Sequence, residues 1–242
     1  MEYRIISADD HIDMQWLPRD LWRKRVPQSW RDRAPKVVET ADGPYWMCGE
    51  DRWDPLWEAA AETGIVLGFH LGGGLRTVAF SGPHAADAGN MGVRVSCSTL
   101  QMDELLAAVV FSGALERYPA LRIVLAETGI GWLPYMIERM DDTYQKFLDA
   151  GEYWRAHGGL RLTMEPSAYF RRQIWATLQT DYAGLRLLDV LGEHRVMWAS
   201  DYPHADSTWP DSRKAVEDNF KDVAPAARRR ILCDNARELY GL

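Results

Sequence analysis

The sequence predicts an α/β fold of the TIM-barrel type, built on parallel strands with helical crossovers and stopping at about five of the eight barrel strands. Two observations carry that prediction. Short apolar runs alternate with amphipathic stretches, the pattern of buried parallel strands joined by helices. Three of those runs also end in residues that bind metals. Ile5-Ile6-Ser7-Ala8 leads into Asp9-Asp10-His11, Ile65–Phe69 leads into His70, and Val196–Ser200 leads into Asp201-Tyr202-Pro203-His204. In a barrel of this type the C-terminal ends of the strands meet at one mouth, where active sites are built.

The elements follow in order. Tyr3–Ala8 is the first strand. Leu17–Arg25 and Gln28–Arg33 read as short helices, separated by Pro27, which cannot continue the first. Lys36–Thr40 and Tyr45–Met47 flank Asp42-Gly43 and read as a hairpin. Asp54-Pro55 supplies an N-cap and a first-turn proline for a helix to about Thr63. A strand then ends at His70. The stretch containing Gly72-Gly73-Gly74, Gly82, Gly89 and Gly92 lacks the Lys-Ser/Thr ending of a phosphate loop and reads as an active-site rim. Thr99–Arg117 predicts one long amphipathic helix, Leu121–Ala126 a strand ending in Glu127, and Gly131–Leu148 a second long helix. Gly151–Phe170 reads as an irregular insertion. Gln173–Leu178 is a strand, Leu185–Leu191 a helix stopped by Gly192, and Arg195–Ser200 the last strand. Ser212–Lys221, Pro225–Cys233 and Asn235–Leu239 are helical. The strands that end at Asp9, His70, Glu127, Gln179 and Asp201 are the barrel-type ones.

The strand-end residues define a candidate site. Imidazole and carboxylate groups at such a mouth suit zinc or a similar divalent ion. Asp9, His11, His70 and Asp201 are the candidate ligands. Asp201 has a second possible role, taking a proton from activated water, and a plainer one, opening the Asp-Tyr-Pro turn. Glu127 could act as general base, since a carboxylate in a partly apolar mouth can be tuned towards working pH. A negative group also suits a helix start, and Gly129 and Gly131 follow it. His204 could orient substrate or shuttle protons; a solvent-facing loop histidine is the alternative. His84, His157 and His194 have no strand-end context. Trp132 and Trp209 could line the pocket, although packing accounts for them as well.

These segments resemble the amidohydrolase-related family, in the branch containing aminocarboxymuconate semialdehyde decarboxylase and the dihydroxybenzoate decarboxylases. The similarity rests on Ile6–His11, Phe69–Gly73, Ala126–Pro134, Ala199–His204 and Asp234-Asn235-Ala236, in the family's order along the chain. The resemblance implies a distorted (β/α)₈ metal-dependent hydrolase fold and one catalytic divalent ion, usually zinc. By position it implies Asp9 and His11 as the first-strand ligand pair, His70 as the fifth-strand ligand and Asp201 as the eighth-strand ligand. Glu127 falls where the decarboxylases carry a catalytic histidine, and Met14 stands where close relatives are often acidic. A further departure is a gap. Tyr45–Glu50 runs almost directly into Asp54-Pro55-Leu56-Trp57, so the family's strands two to four are missing, with the seam at 49–53 inside a single domain, 1–242. The sheet edges exposed by that loss could be covered by a second copy of the chain, with the Trp-rich stretch 46–57 beside them.

The expected activity is hydrolysis of a small carboxylated or amide-containing substrate by metal-activated water, with Glu127 or Asp201 as base. Non-oxidative decarboxylation of an aromatic or enoic acid, on the same metal frame, is the alternative. A truncated, non-catalytic paralogue is the third reading. Composition narrows the remaining classes. A net charge of −7 over 242 residues argues against a nucleic-acid partner. The three cysteines, Cys48, Cys97 and Cys233, have no paired spacing, which fits reduced thiols in a cytoplasmic protein. The apolar stretch 105–111 is too short to span a membrane. A small-molecule substrate is the partner expected.

Overall fold

The computed structural model describes residues 5–8, 18–32, 34–40, 43–47, 53–71, 88–148, 156–157 and 162–242. A helix spans Leu21–Arg25 and a 3₁₀ turn Gln28–Trp30. Strands β1 (Lys36–Thr40) and β2 (Gly43–Met47) form the expected antiparallel hairpin, with Thr40 opposite Gly43. The rest of the sheet structure is parallel. Strands β3 (Val66–His70), β4 (Arg122–Ala126), β5 (Ile174–Leu178) and β6 (Val196–Trp198) lie side by side in chain order. Their register pairs Val66 with Arg122, Ile123 with Ile174 and Ala176 with Val196.

Strand alternation divides the core into two faces. Ile123, Leu125, Ile174, Ala176, Leu178, Val196 and Trp198 point to the helical layer, where they pack with Leu106, Leu115, Ile137, Phe170 and Phe220. Val124, Ala126, Trp175 and Met197 point to the other face and meet Ala8, Ala236 and Leu239. Residues of β5 and β6 are buried throughout, while β3 is only partly buried. The described part of the first predicted strand, residues 5–8, is not a ladder strand. It does lie beside β6, because Ala8 N donates to Trp198 O at 3.2 Å. The parallel arc is therefore four strands plus one adjoining extended segment, a fragment of a TIM-barrel-like fold. Among the described residues no strand pairs with the outer side of β3. Ile65 beside it is 59% exposed. The seam expectation divides: Trp57 is buried and packs 6.2 Å from Phe69, while Trp53 is 40% exposed. Positions 48–52, the centre of the proposed seam, lie outside the described residues.

Several predicted elements change form. A helix, Ala88–Ser98, precedes the single helix expected over Thr99–Arg117, which is itself a series: a 3₁₀ turn at Thr99–Met102, then Asp103–Phe111 and Ala114–Arg117. Gly113, at φ 73°, breaks it, a left-handed conformation that glycine adopts without steric cost. Gly89 and Gly92, read as part of a loop, lie in the first of these helices. The insertion read over Gly151–Phe170 ends in a helix, Pro166–Gln173. The helix expected at Leu185–Leu191 is two short ones, Tyr182–Leu185 and Leu188–Leu191. Leu133–Thr143 continues through a π turn, Tyr144–Leu148, and the C-terminal helices are Ser212–Asn219, Pro225–Arg229 and Asn235–Tyr240, the last two joined by a π turn. Asp54 opens its helix, Asp54–Thr63, without acting as a side-chain cap. Its carboxylate instead receives Arg117, with Nη2 2.8 Å away. No helix among the described residues is long and apolar enough to cross a membrane.

Two ties hold the helices in place, one to the sheet and one between helices. Asn235 Nδ2 donates to Glu193 O and Val196 O, each at 2.7 Å, which anchors the C-terminal helix at the start of β6. The Tyr169 hydroxyl donates to Glu116, which also receives Thr163 Oγ1 at 3.0 Å. That hydrogen bond from Tyr169 is the main cause of a Glu116 carboxyl held below its usual range.

Two predictions follow from this packing. Leu125 is 1% exposed, so Leu125→Ala should destabilise the fold by about 2–5 kcal/mol in denaturant unfolding. Because the folded-state pKa of Glu116 is depressed, its contribution is complete above the unfolded value and fades as pH falls through the folded one. Tyr169→Phe should therefore cost about 1–2 kcal/mol at neutral pH and progressively less in acid. A cost independent of pH would show that the tie to Glu116 carries none of it.

Candidate metal centre

His70 is the last residue of β3. Alternation sets it on the same face as Val66, the face that meets Ala8 and Ala126, while Leu67 and Phe69 pack into the helical layer. Its Nδ1 lies 2.6 Å from Leu71 O. A carbonyl oxygen only accepts, so Nδ1 donates there and Nε2 is the ring nitrogen turned towards the carboxylates. Nε2 lies 3.3 Å from Glu127 Oε2.

Glu127 immediately follows β4, and Asp201 lies three residues beyond the end of β6. Both have left-handed backbones, at φ 55° and 59°, and among the described residues they are the non-glycine residues with positive φ. Such conformations cost on the order of 1 kcal/mol or more and persist where the surroundings enforce them. Here the turns end the strands and carry two carboxylates to one place. Glu127 N is held by Thr177 Oγ1 at 2.9 Å. Asp201 is 2% exposed. Its Oδ1 lies 2.8 Å from His204 Nδ1, whereas Oδ2 is buried with no hydrogen-bond partner among the described residues.

One ligand atom from each of His70, Glu127 and Asp201 lies within 4.8 Å of the other two. Two bonds of about 2.0–2.2 Å to one ion span at most ~4.4 Å, so small side-chain adjustments would let a single cation touch all three. A buried carboxylate oxygen without a donor is costly unless a cation meets it. The donor set and the bare Oδ2 therefore fit a divalent ion.

The structure brings His70 and Asp201 together as the sequence predicts, and it adds Glu127 to their group. Asp9 and His11, the other expected ligands, lie outside the described residues, as do His84 and most of the glycine-rich rim. His204 sits at the edge, its ring 6.4 Å from that of His70 and its side chain 46% exposed. Tyr202 and Trp209, both largely exposed, meet edge to face at 5.4 Å on the same loop. Trp132 is a packing residue: it joins the helical-layer core, and its indole N–H donates to Thr128 O. His157 and His194 are exposed.

Sequence reasoning missed the groups that shape the site. Asp181 Oδ2 accepts from Ile130 N and Gly131 N, each at 2.7 Å, and Oδ1 accepts from Gly184 N at 2.8 Å. One carboxylate thus ties the turn after Glu127 to the turn after β5. Gly184 permits the approach, since a Cβ there would lie 2.4 Å from Ile130 Cγ1. Ser200 N donates to Ser7 Oγ at 3.1 Å, locking the strand exit before Asp201 to the first segment. Gln179 directly follows β5, and its buried Nε2 has no hydrogen-bond partner among the described residues. The signal available was the period of two, which sets Trp175 and Thr177 on one face of β5.

A parallel α/β arc with imidazole and carboxylate groups gathered at its C-terminal end is the architecture of a barrel-type metal enzyme. The chain belongs to the amidohydrolase family, whose model matches residues 32–242. Among curated proteins none matches it in sequence. Among solved structures it is similar to 5-carboxyvanillate decarboxylase from Sphingomonas paucimobilis, at 22% identity and a TM-score of 0.59, covering 78% of this chain and 52% of that one. It is similar to an amidohydrolase from Mycobacterium avium subsp. paratuberculosis, at 22% identity and a TM-score of 0.58, covering 80% and 46%. A third is dihydroxybenzoic acid decarboxylase from Polaromonas sp. JS666, with bound manganese and the inhibitor 2-nitroresorcinol, at 18% identity, a TM-score of 0.58 and 80% and 55% coverage. The chain thus spans about half the length of these structures. At these identities the likeness is one of fold.

Asp181→Ala would strip three backbone N–H groups of their shared acceptor. We expect a loss of about 2–4 kcal/mol in unfolding, together with weaker divalent-ion binding, because the turn that aims Glu127 loosens. Unchanged metal affinity in a destabilised variant would confine Asp181 to the fold.

Proposed function

We propose that this chain is a metal-dependent carboxy-lyase that removes CO₂ without oxidation from a small aromatic or enoic carboxylic acid. The observation that carries the reading is the convergence of His70, Glu127 and Asp201 within 4.8 Å at the strand ends of an amidohydrolase-family sheet. Support for the lyase direction comes from structural neighbours named as decarboxylases of 5-carboxyvanillate and dihydroxybenzoate. His70 and Asp201 would hold the ion, joined by Asp9 and His11 from the segment after Ala8. The ion, when bound, supplies positive charge that draws in the substrate's oxygens and stabilises charge developing during reaction. Manganese accompanies three of the structural neighbours. The donor set here suits manganese or zinc.

The reaction needs one proton. The bond between the substrate carbon and its carboxylate breaks, CO₂ departs, and the electron pair left on carbon takes up a proton. His204 is placed to move it. With Nδ1 donating to Asp201 Oδ1 at 2.8 Å, Nε2 is the nitrogen left to exchange a proton, and the ring is accessible from solvent. Asp201 orients the imidazole and stabilises its charged form. The exposed pair Tyr202 and Trp209 offers aromatic surface beside this histidine for a planar substrate. Hydrolysis is the second reading. One observation favours it: Glu127, a carboxylate suited to activating water, stands at the end of β4 in the position where the decarboxylases of the resembling branch carry histidine.

The test is product analysis. The metal-loaded chain, given hydroxylated benzoates, should release CO₂ in step with loss of the acid, and chelation should stop it. His70→Ala should lose both the ion and the activity. His204→Gln should keep the ion and lower turnover by about 10²–10⁴-fold. Turnover of amides or lactones without CO₂ release would move the reading to hydrolysis. A chain that takes up no divalent ion would defeat both.

A further inference from the structure

We infer that Glu127 is itself a ligand of the metal ion, so that the described part of the centre is one imidazole and two carboxylates. The inference rests on the metal-site reading above and moves Glu127 from proton handling to ligation. It departs from the first-strand, fifth-strand and eighth-strand ligand set that the sequence resemblance implies, to which the strand bearing Glu127 contributes none.

The geometry around His70 supplies the first argument. Its Nδ1 faces Leu71 O at 2.6 Å, so Nε2 is the ring nitrogen turned to the mouth. Nε2 lies 3.3 Å from Glu127 Oε2. Two bonds of about 2.0–2.2 Å to one ion span up to ~4.4 Å, so a single divalent ion can take both atoms as ligands.

Asp201 supplies the second, independent argument. Its side chain is 1% exposed, and its Oδ2 is buried with no hydrogen-bond partner among the described residues. One carboxylate oxygen of Asp201 lies within 4.8 Å of ligand atoms of both Glu127 and His70. An ion placed to satisfy Asp201 Oδ2 and His70 Nε2 therefore lies within reach of Glu127. The backbone provides the third argument. Glu127 and Asp201 hold matching left-handed conformations, at φ 55° and 59°, and each is the residue at which its strand exit turns. The same device aims both carboxylates at one point, and Thr177 Oγ1 fixes the turn at Glu127 N.

The consequence is metal preference. Carboxylate oxygens favour harder ions such as manganese and magnesium, whereas additional imidazole favours zinc. Glu127 should therefore raise affinity for Mn²⁺ relative to Zn²⁺.

The experiment is calorimetric titration of the chelator-stripped full chain with Mn²⁺ and with Zn²⁺, for the wild type, Glu127→Gln and Glu127→Ala. Water-proton relaxation of the Mn²⁺ complexes counts the waters on the ion. Loss of an outer partner that only orients a ligand costs about 10–100-fold in affinity. Removal of Glu127 should cost Mn²⁺ affinity at least that much, weaken Zn²⁺ binding less, and add coordinated water to the Mn²⁺ that remains bound. Thermal melting of the stripped proteins checks that each variant folds, and the isosteric Gln variant serves if Ala does not. Should neither fold, the wild-type Mn²⁺ complex still decides: Mn²⁺ preferred over Zn²⁺ beyond the order set by intrinsic affinity supports the ligand, and the ordinary order overturns it. Equal Mn²⁺ affinity and unchanged water in the variants overturn the role of Glu127 while leaving the metal site intact. A wild type that binds neither ion overturns the metal site itself.

Discussion

The site turns on a buried carboxylate that the protein leaves half satisfied. Asp201 is almost without solvent contact; one oxygen meets His204, and the other meets no hydrogen-bond donor among the described residues. Burying such a charge is expensive unless a compensating positive charge arrives. The surrounding structure holds it there regardless: Ser7 fixes the strand exit just before it, β6 is buried on both faces, and Asn235 anchors the C-terminal helix to the start of that strand. Stability is drawn from the core and the cost falls on the mouth, where a cation can offset it.

The same division explains which residues lie where. Side chains of β4 and β5 that face the helices are Ile123, Leu125, Ile174, Ala176 and Leu178, all in the large core. Their alternates include Thr177, whose hydroxyl accepts from Glu127 N, and at the ends of the strands the alternation yields to ligand and binding groups. Asp181 makes the turns beyond two neighbouring strands into one unit, by accepting from three backbone N–H groups. The acids of the mouth therefore rest on turns that are hydrogen-bonded to their neighbours, which is what a preorganised ion site requires.

The four parallel strands and the strand-end placing of His70 and Asp201 were legible because they are governed by short-range rules. Apolar runs with an abrupt polar end mark a buried strand exit, and His70, Glu127 and Asp201 occupy such exits. The helices after β3 were less legible. An amphipathic period runs across Thr99–Arg117, yet Gly113 breaks it through its backbone conformation. Gly89 and Gly92 suggested a loop and were accommodated within a helix. Glycine costs a helix about 1 kcal/mol relative to alanine, too little to decide an element by itself. Asp181 escaped because a carboxylate serving backbone N–H groups 50 residues away has no local signature. Asn235, part of the family resemblance, proves to be structural. The grouping of Glu127 with the ligands was invisible because it depends on a left-handed backbone that sequence does not announce at glutamate.

A partial sheet can keep a complete set of these groups because of where they lie on it. The arc runs from β3 through β4 and β5 to β6, with residues 5–8 next in line. His70 ends its first strand, Glu127 follows its second and Asp201 lies beyond its fourth, so the three grouped residues span one continuous stretch of hydrogen-bonded backbone. Strands on the far side of a closed barrel would hold the mouth in shape, but they need not furnish these donors. Among the described residues no strand supports the outer side of β3, whose partial exposure contrasts with the full burial of β5. His70, the candidate ligand on that strand, is positioned there by the Nδ1 contact to Leu71 O and by the pairing of β3 with β4 through Ala126. An ion linking His70 to Asp201 would tie the first strand of the described arc to its fourth.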